Sequence, residues 1–209
     1  NGEFVHDVFE KDRLVRSFAV GPSNPDYTTM DQVSPYFRNA VLTSEDGSFF
    51  FHNGFNEEAF RKSIAANYRA GKFVRGGSTI TMQLAKNLWL TREKTLGRKV
   101  QEFFLSQALE SCYSKDELME LYLNVVEFGP NQYGVGSGSM HWFHKGPGEL
   151  VPTEAFWLAS ILPRPSRTQP PTDSSLKRVE GLMKRLAEDG RIPNFADDMV
   201  EPEEVQNPE

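Results

Sequence analysis

Cysteine is nearly absent from this sequence: Cys112 is the only one in 209 residues. A single thiol cannot form an intrachain disulfide, and it excludes a zinc site built from several cysteines. Long hydrophobic runs are absent too, since no stretch approaches the roughly 18 to 20 consecutive apolar residues of a membrane-spanning helix. The first residues also lack the basic-then-apolar pattern of a signal peptide. We therefore expect either a soluble protein or a chain whose membrane anchor lies outside this sequence.

Several common catalytic signatures are also missing. The sequence contains no metal-ligand spacing, no Walker phosphate-binding loop and no G-x-S-x-G nucleophile motif. Acidic residues outnumber basic ones, 29 to 23, and the resulting formal net charge of -6 argues against a nucleic-acid partner. The charge is unevenly distributed, however: residues 61–99 contain ten Lys and Arg and one acid, whereas residues 188–209 contain eight acids and one Arg. The basic middle predicts an anionic ligand or a membrane surface, and the acidic end predicts a solvated tail.

Helix signals dominate what is present. Apolar residues recur at helical spacing in most of the chain, and the only strand we predict is the doubtful run 15–20. Capping residues mark several starts, at Ser34, Asn56, Ser78, Ser114 and Thr153. The glycine-rich residues 129–138 are predicted to form a loop. Predicted helices cover residues 35–45, 57–70, 79–90, 98–113, 115–125, 154–162 and 174–189. This pattern predicts an all-α fold.

Two of these helices combine a buried side with a polar stripe. In the first, Thr79, Gln83, Lys86 and Asn87 share one face, because they follow the spacing i, i+4, i+7 and i+8. In the second, Arg98 and Glu102 lie one turn apart. Amides, hydroxyls and cations beside a carboxylate are the groups that hold a phosphate-bearing substrate near an ionisable residue.

Two glutamates are candidates for acid–base chemistry. Glu45 lies beside Asp46 and a run of three phenylalanines, and both an apolar environment and a like charge raise a carboxyl pKa. Glu102, beside Arg98, is expected to stay ionised. Two carboxylates in different environments are the usual equipment of glycosyl-transfer chemistry. Spacing alone favours the plainer alternatives of a solvated Glu45, a surface ion pair at Glu102 and a structural His52.

Four ordered motifs together resemble a known family. EDGSFFFHNG (45–54) fits E-D-x-x-F-x-x-H-x-G, and GGSTITMQLAKN (76–87) fits G-G-S-T-I-T-Q-Q-x-x-K-N with one change. RKVQE (98–102) fits R-K-x-x-E, and KDELMELYLN (115–124) fits K-x-x-I-L-x-x-Y-L-N with Leu-Met for Ile-Leu. The chain is similar here, over roughly residues 33–187, to the family 51 peptidoglycan glycosyltransferases of class A penicillin-binding proteins and monofunctional transglycosylases. We accordingly divide it into residues 1–32 of unclear role, a glycosyltransferase domain 33–190 and an acidic tail 191–209.

The resemblance implies a lysozyme-like, two-lobed fold with a head and a membrane-associated jaw. The implied reaction is polymerisation of lipid II onto a growing glycan strand, with inversion at the donor anomeric carbon, a β-1,4 link and release of undecaprenyl pyrophosphate. It implies no required cofactor, although a divalent cation such as Mg²⁺ would fit beside the pyrophosphate. The implied location is the outer or periplasmic face of the bacterial cytoplasmic membrane, with the anchor outside this chain and other cell-wall synthesis proteins as partners.

The resemblance also assigns roles to individual positions. Glu45 would be the general base that removes a proton from the acceptor 4-hydroxyl, and Glu102 would be the second catalytic glutamate, near the donor pyrophosphate. Three cations would neutralise that leaving group. The further substrate-binding positions complete the cleft. The cations are Lys86, Arg98 and Lys99, and the further positions are Asp46, Phe49, His52, Thr79, Gln83 and Asn87.

Two departures from the family pattern keep alternatives open. Met82 replaces the first glutamine of a pair, which predicts the loss of a polar contact, and residues 136–145 have glycines and serines where the family tends to have alanines. The favoured hypothesis is an active lipid II polymerase. The alternatives are a lysozyme-like enzyme that cleaves glycan, against which the cation cluster speaks, and a non-catalytic module that binds lipid II.

Overall fold

The computed structural model describes residues 2–10, 13–72, 74, 76–91, 95–165 and 169–195. Eight α-helices and one β-hairpin make up most of this part of the chain. The helices are α1 (Pro35–Glu45), α2 (Glu57–Ala70), α3 (Ile80–Trp89), α4 (Leu96–Cys112), α5 (Lys115–Val125), α6 (Val135–Phe143), α7 (Pro152–Ala159) and α8 (Asp173–Glu188). The predicted all-α class is confirmed, and the helical architecture is consistent with the lysozyme-like fold that the resemblance implies. The predicted acidic tail lies outside the described residues from 196 onward.

The hairpin is the part of the fold that the sequence predicted least well. It consists of β1 (Phe4–Glu10) and β2 (Arg13–Val20), paired antiparallel with Phe4 opposite Val20 and a register shift after Val8. The prediction covered most of β2 and missed β1, whose His6 and Asp7 interrupt the apolar run. His6 is nevertheless buried and packs edge-on against Phe18 of β2.

Residues 27–30 are bonded directly to α5. The Tyr27 hydroxyl donates to Glu120 at 2.6 Å, and the Met30 backbone N–H donates to the same carboxylate at 3.0 Å. The buried Asn124 side chain both accepts from the Thr28 N–H and donates to its carbonyl, each at 2.8 Å. The stretch before residue 33 is therefore joined to the helical body by four hydrogen bonds.

The core is centred on α5. Its Leu118, Met119 and Leu123 are fully buried, and the helix packs against α3, α4 and α6. The sequence of α7, PTEAFWLA, is apolar on nearly all sides, as expected of a helix with neighbours on more than one side. It packs against α1 and α8. This arrangement places the end of α1, the start of α3 and the middle of α5 close together.

Most predicted helix ends agree with the structure. Asn56 caps α2, Gly71 ends it with φ 60°, and Ser114 begins α5 with a capping box to Glu117. Two predicted caps are wrong: Thr79 rather than Ser78 caps α3, and α7 begins at Pro152, before Thr153. The predicted loop 129–138 is also wrong in part, because α6 begins at Val135.

Helix α6 explains the unusual glycines of this region. A Cβ placed on Gly136 would collide with the carbonyl oxygen of Asp26, and one placed on Gly138 would lie 2.5 Å from the Cβ of Phe128. Real Cβ atoms do not approach heavy atoms this closely. The glycines that depart from the family's alanines therefore allow α6 to approach the chain at Asp26 and Phe128 closely.

Large apolar side chains are exposed on several elements, the hairpin among them, and one group of them follows consecutive segments of the chain. This group belongs to the segment after α1 and to α2, α3 and α4: Phe51, Ile64, Tyr68, Trp89, Leu96, Val100 and Phe104. Phe51, Tyr68 and Leu96 are the most exposed, at 89%, 87% and 84%. No helix within the described residues has the length and hydropathy to cross a bilayer.

Replacing Gly136 with Ala is expected to destabilise the protein by about 1–3 kcal/mol, because the added methyl must displace the backbone at Asp26. The matched control is Gly181→Ala in α8, where a Cβ would meet nothing within 4 Å. That variant should gain roughly 0.5–1 kcal/mol from helix propensity. Urea denaturation of both variants provides the test, and a Gly136→Ala protein as stable as wild type would refute the close packing of α6.

Candidate active site

Glu45 is the last residue of α1 and is half-buried. Its Oε2 accepts a hydrogen bond from Nε2 of Gln83 on α3 at 2.7 Å. Burial raises the pKa of this carboxyl, the Gln83 hydrogen bond and the positive charge of Lys86 act in the opposite direction, and neighbouring Asp46 raises it again. A carboxylate with a raised pKa is suited to accept a proton near neutral pH.

Asp46 joins the end of α1 to the start of α3. Its buried carboxylate accepts from the backbone N–H of Ile80 at 3.2 Å and lies 2.9 Å from Nε2 of His52. The His52 side chain is itself 9% exposed, and Phe49, which packs edge-on against its ring, is 1% exposed. These predicted site residues thus form the packed support beneath Glu45.

Tyr122 belongs to the same network, and the sequence analysis missed it. Its hydroxyl, in the fully buried part of α5, donates to Oε1 of Gln83 at 3.1 Å. Burial, followed by the negative charges of Glu45 and Asp46, raises the pKa of this phenol well above its usual value. Tyr122 lies four residues after Leu118 and therefore on the same, core-facing side of α5. A buried phenol hydroxyl needs a hydrogen-bond partner, so the sequence did contain a signal for this residue.

Glu102 forms a second, separate charge cluster. The residue is 2% exposed; one carboxylate oxygen binds the Arg98 guanidinium and the other accepts from Nζ of Lys99 at 2.6 Å. Lys99 also donates to the Ser78 hydroxyl at 2.6 Å, just before α3. The alternative that Glu102 forms a solvent-exposed surface ion pair is therefore wrong.

Two members of the polar face predicted for α3 act on Glu45, and a third holds the start of the helix. Gln83 and Lys86 act on Glu45, through a hydrogen bond and through charge, and Asn87 is half-buried one residue further on. Thr79 is 2% exposed, and its hydroxyl donates to the Gly54 carbonyl at 2.6 Å while accepting from the Met82 N–H. The Thr79 side chain therefore holds the start of α3 in place.

Met82 does not face this polar group. It is 2% exposed, among the buried hydrophobic side chains of the protein. Its replacement of a glutamine therefore alters the packing of α3 and leaves the Gln83–Glu45 hydrogen bond in place.

Glu110 is a further acidic residue that the sequence analysis missed. It accepts from the Thr81 hydroxyl at 2.5 Å and from Nζ of Lys115 at 2.7 Å. That ammonium lies 4.3 Å from the centroid of the Phe49 ring. The contacts connect α3, α4 and α5 to the segment after Asp46, which steadies the support of the site.

The described residues offer no group of three or more His, Cys, Asp or Glu side chains that could hold a metal ion. Both oxygens of Glu102 are occupied by Arg98 and Lys99. The fixed positive charge of this cluster therefore comes from side chains. Taken together, the geometry provides a proton acceptor at Glu45 and cations around Glu102.

Comparison with known families matches residues 11–188 to the family described as Transglycosylase. The match includes residues 11–32, which the sequence analysis had set apart. Among curated proteins, the chain is similar to the biosynthetic peptidoglycan transglycosylase of Alcanivorax borkumensis, with 42% identity over 169 residues, 80% of this chain and 69% of the relative.

Two further relatives differ in length. The biosynthetic peptidoglycan transglycosylase of Nitrosomonas eutropha is 36% identical over 184 residues, 86% of this chain and 75% of the relative. Penicillin-binding protein 1A of Aquifex aeolicus is 40% identical over 168 residues, 79% of this chain and 23% of the relative. The chain therefore corresponds to most of the first protein and to under a quarter of the second.

The two glutamates are expected to affect stability in opposite directions. Because the folded-state pKa of Glu45 is raised, its effect on stability is most favourable below the unfolded pKa and declines as pH rises through the folded pKa. Glu45→Gln removes the ionisation and should unfold at a higher free energy than wild type at about pH 8, with the difference shrinking toward about pH 4.

Glu102→Gln is the matched control for this experiment. It removes the charge partner of Arg98 and Lys99 and should lower the free energy of unfolding by about 2 kcal/mol at neutral pH. Urea denaturation of the three proteins across this pH range measures both effects. A lower stability of Glu45→Gln at about pH 8 would contradict the electrostatic assignment of Glu45.

Proposed function

The chain belongs to the transglycosylase family, and from this we propose that it polymerises lipid II into β-1,4-linked peptidoglycan glycan strands with release of undecaprenyl pyrophosphate. The observation that carries the proposal is the contrast between its two glutamates. Glu45 is half-buried with a raised pKa, whereas Glu102 is bound on both oxygens by cations. A reaction that needs a base at one sugar and positive charge at a leaving pyrophosphate uses both environments.

Glu45 serves as the general base in this proposal. It accepts the proton of the acceptor 4-hydroxyl as that oxygen attacks the donor anomeric carbon. The bond between that carbon and the pyrophosphate oxygen breaks, the configuration inverts, and the bonding electron pair leaves with the pyrophosphate. The hydrogen bond from Gln83 holds the carboxylate oriented during the attack.

Arg98 and Lys99 stabilise the charge that builds on the departing pyrophosphate. The Lys99 ammonium has three N–H donors, of which Glu102 and Ser78 accept two. The Arg98 and Lys99 side chains are 15% and 32% exposed, which leaves them accessible to a ligand. Glu102 acts through these two cations by fixing their positions. Lys86, whose charge also lowers the pKa of Glu45, is the third cation proposed for the leaving group.

The proposed steps require no cofactor. The described side chains do not fit a divalent cation held by the protein itself, because both oxygens of Glu102 are occupied. The positive charge that the mechanism uses is supplied by Lys86, Arg98 and Lys99.

The exposed apolar side chains of α2–α4 form the membrane contact in this proposal. Basic residues lie near them in the sequence, including Arg61, Lys62 and Arg69 of α2, and exposed Phe and Tyr among cations are typical of an interfacial surface. The substrate's lipid tail requires a site at a membrane. We place the protein at the outer or periplasmic face of the bacterial cytoplasmic membrane, alongside other cell-wall synthesis proteins.

The direct experiment is incubation with labelled lipid II in detergent, followed by separation of the products by size, with Glu45→Gln as the control. Long glycan from wild type and none from the variant supports the proposal. Digestion of preformed glycan would favour a hydrolase, and binding of lipid II without product would favour a non-catalytic module. Either result would overturn the proposal.

Lys86→Ala is expected to lower kcat about a hundredfold with little change in KM, by analogy with the loss of one transition-state donor. Lys86→Arg should rescue the rate only in part, because a planar guanidinium delivers its charge differently from an ammonium. Initial rates at several lipid II concentrations and pH values measure this. Full recovery of Lys86→Ala at high pH would show that Lys86 only assists ionisation of Glu45, and would refute a direct role at the leaving group.

Membrane contact is tested by changing Tyr68, Leu96 and Phe104 to Ser together. We expect at least a tenfold loss of binding to anionic vesicles, since each apolar side chain that leaves a lipid environment removes about 1.5 kcal/mol or more. Phe73, an aromatic residue between Lys72 and Arg75 in the sequence, lies outside the described residues. Leu182→Ser on α8, 45% exposed, is the control, and unchanged flotation of the triple variant would contradict the contact.

A further inference from the structure

Tyr122 presents an unusual choice of side chain for its position. It is fully buried on α5, beside fully buried Leu118 and Leu123. Phenylalanine would fill nearly the same volume without bringing a hydroxyl into the core, where an unpaired polar group is costly. The hydroxyl is satisfied by Oε1 of Gln83 at 3.1 Å. Its presence is therefore tied to the orientation of that amide.

The Gln83 amide connects Tyr122 to Glu45 with a defined direction. Nε2 donates to Glu45 at 2.7 Å, and Oε1 accepts from Tyr122. An ionised carboxylate only accepts hydrogen bonds, so the amide must present its NH₂ group to Glu45. The carbonyl end then requires a donor on the opposite side, and Tyr122 provides it.

We propose that Tyr122 is a positioning residue for the reaction, whose hydroxyl, by donating to Oε1, favours the orientation in which Nε2 of the Gln83 amide faces Glu45. This inference rests on the proposed function of Glu45 as the general base. Tyr122 contacts neither the carboxylate nor a substrate in this assignment. It acts through Gln83 alone.

The Gln83 amide donates from its NH₂ end and accepts at its carbonyl end, and this determines the effect of losing the Tyr122 hydroxyl. Without Tyr122, the amide can rotate and present Oε1 to Glu45, where it opposes the ionised carboxylate and accepts from the protonated one. The pKa of Glu45 would then rise further. The other charged groups that face Glu45, Asp46 on its own segment and Lys86 on α3, remain in place. Burial keeps Tyr122 itself protonated, because its pKa lies well above its usual value.

The experiment is the pH dependence of kcat for lipid II polymerisation by Tyr122→Phe. We expect the acidic limb of the profile to move to higher pH, with a rate about tenfold lower at neutral pH that recovers as pH rises, and with KM unchanged. Tyr27→Phe is the matched control, since it removes a phenol hydrogen bond to Glu120, which is not part of the Tyr122–Gln83–Glu45 chain of hydrogen bonds. Its acidic limb should coincide with that of wild type.

A double-mutant cycle separates positioning from packing. In a Gln83→Leu background, which already lacks both hydrogen bonds, Tyr122→Phe should cause no further shift of the limb. An additive effect, or an unshifted limb in Tyr122→Phe, overturns the inference. If Tyr122→Phe does not fold, Gln83→Leu alone must shift the acidic limb of the pH profile in the same direction. An unshifted limb in that variant refutes the inference.

Failure of the proposed function is recognised separately. If wild type makes no glycan, the polymerase assignment fails whatever Tyr122 does. Titration of the Glu45 carboxyl by NMR in wild type and Tyr122→Phe then tests the effect of Tyr122 on the Glu45 pKa without turnover. A higher carboxyl pKa in the variant supports the inference, and identical titration curves overturn it.

Discussion

The Asp46 carboxylate is the contact on which the site depends. It accepts from the first backbone N–H of α3 and from His52, and so joins the end of α1 to the start of α3. Glu45 is the adjacent residue, so its position relative to Gln83 follows from this junction. A shift of α3 along its axis would separate both carboxylates from their partners at once. The buried Phe49 and the cap at Thr79 make such a shift costly.

The site separates two electrostatic tasks that one carboxylate cannot perform. A base must lose its charge during the reaction, whereas a group that holds cations must keep it. Glu45 has one amide donor and a half-buried position, and burial raises its pKa and so favours its protonated state. Glu102 has a cation on each oxygen and is almost fully buried. Glu45 is bound by Gln83 of α3, whereas Glu102 is bound by two cations of its own helix α4. The two carboxylates therefore do not share these partners.

Local patterns predicted the helices and most of the candidate site. Features that depend on contacts between residues distant in the sequence were missed. Ser78 and Thr79 are equally good caps by sequence, and Thr79 caps α3 because its hydroxyl reaches the Gly54 carbonyl. The i+4 spacing of Arg98 and Glu102 was visible, but the burial of Glu102 depends on packing between α3 and α4. From the sequence alone, Tyr122 resembles an ordinary core residue, because its hydrogen-bond partner Gln83 lies on another helix.

The tuning of Glu45 follows from its place at the end of α1. Burial is the largest influence and raises its pKa, and the unpaired carbonyls at a helix C-terminus act in the same direction. Gln83 and Lys86, both on α3, oppose this. Glu45 lies at the end of α1, whereas the two groups that lower its pKa lie on α3. The position of α3 relative to the end of α1 therefore sets the pKa of this carboxyl. A proton acceptor of this kind is sensitive to small movements of α3, which explains why α3 is bound at its start, its middle and its buried face.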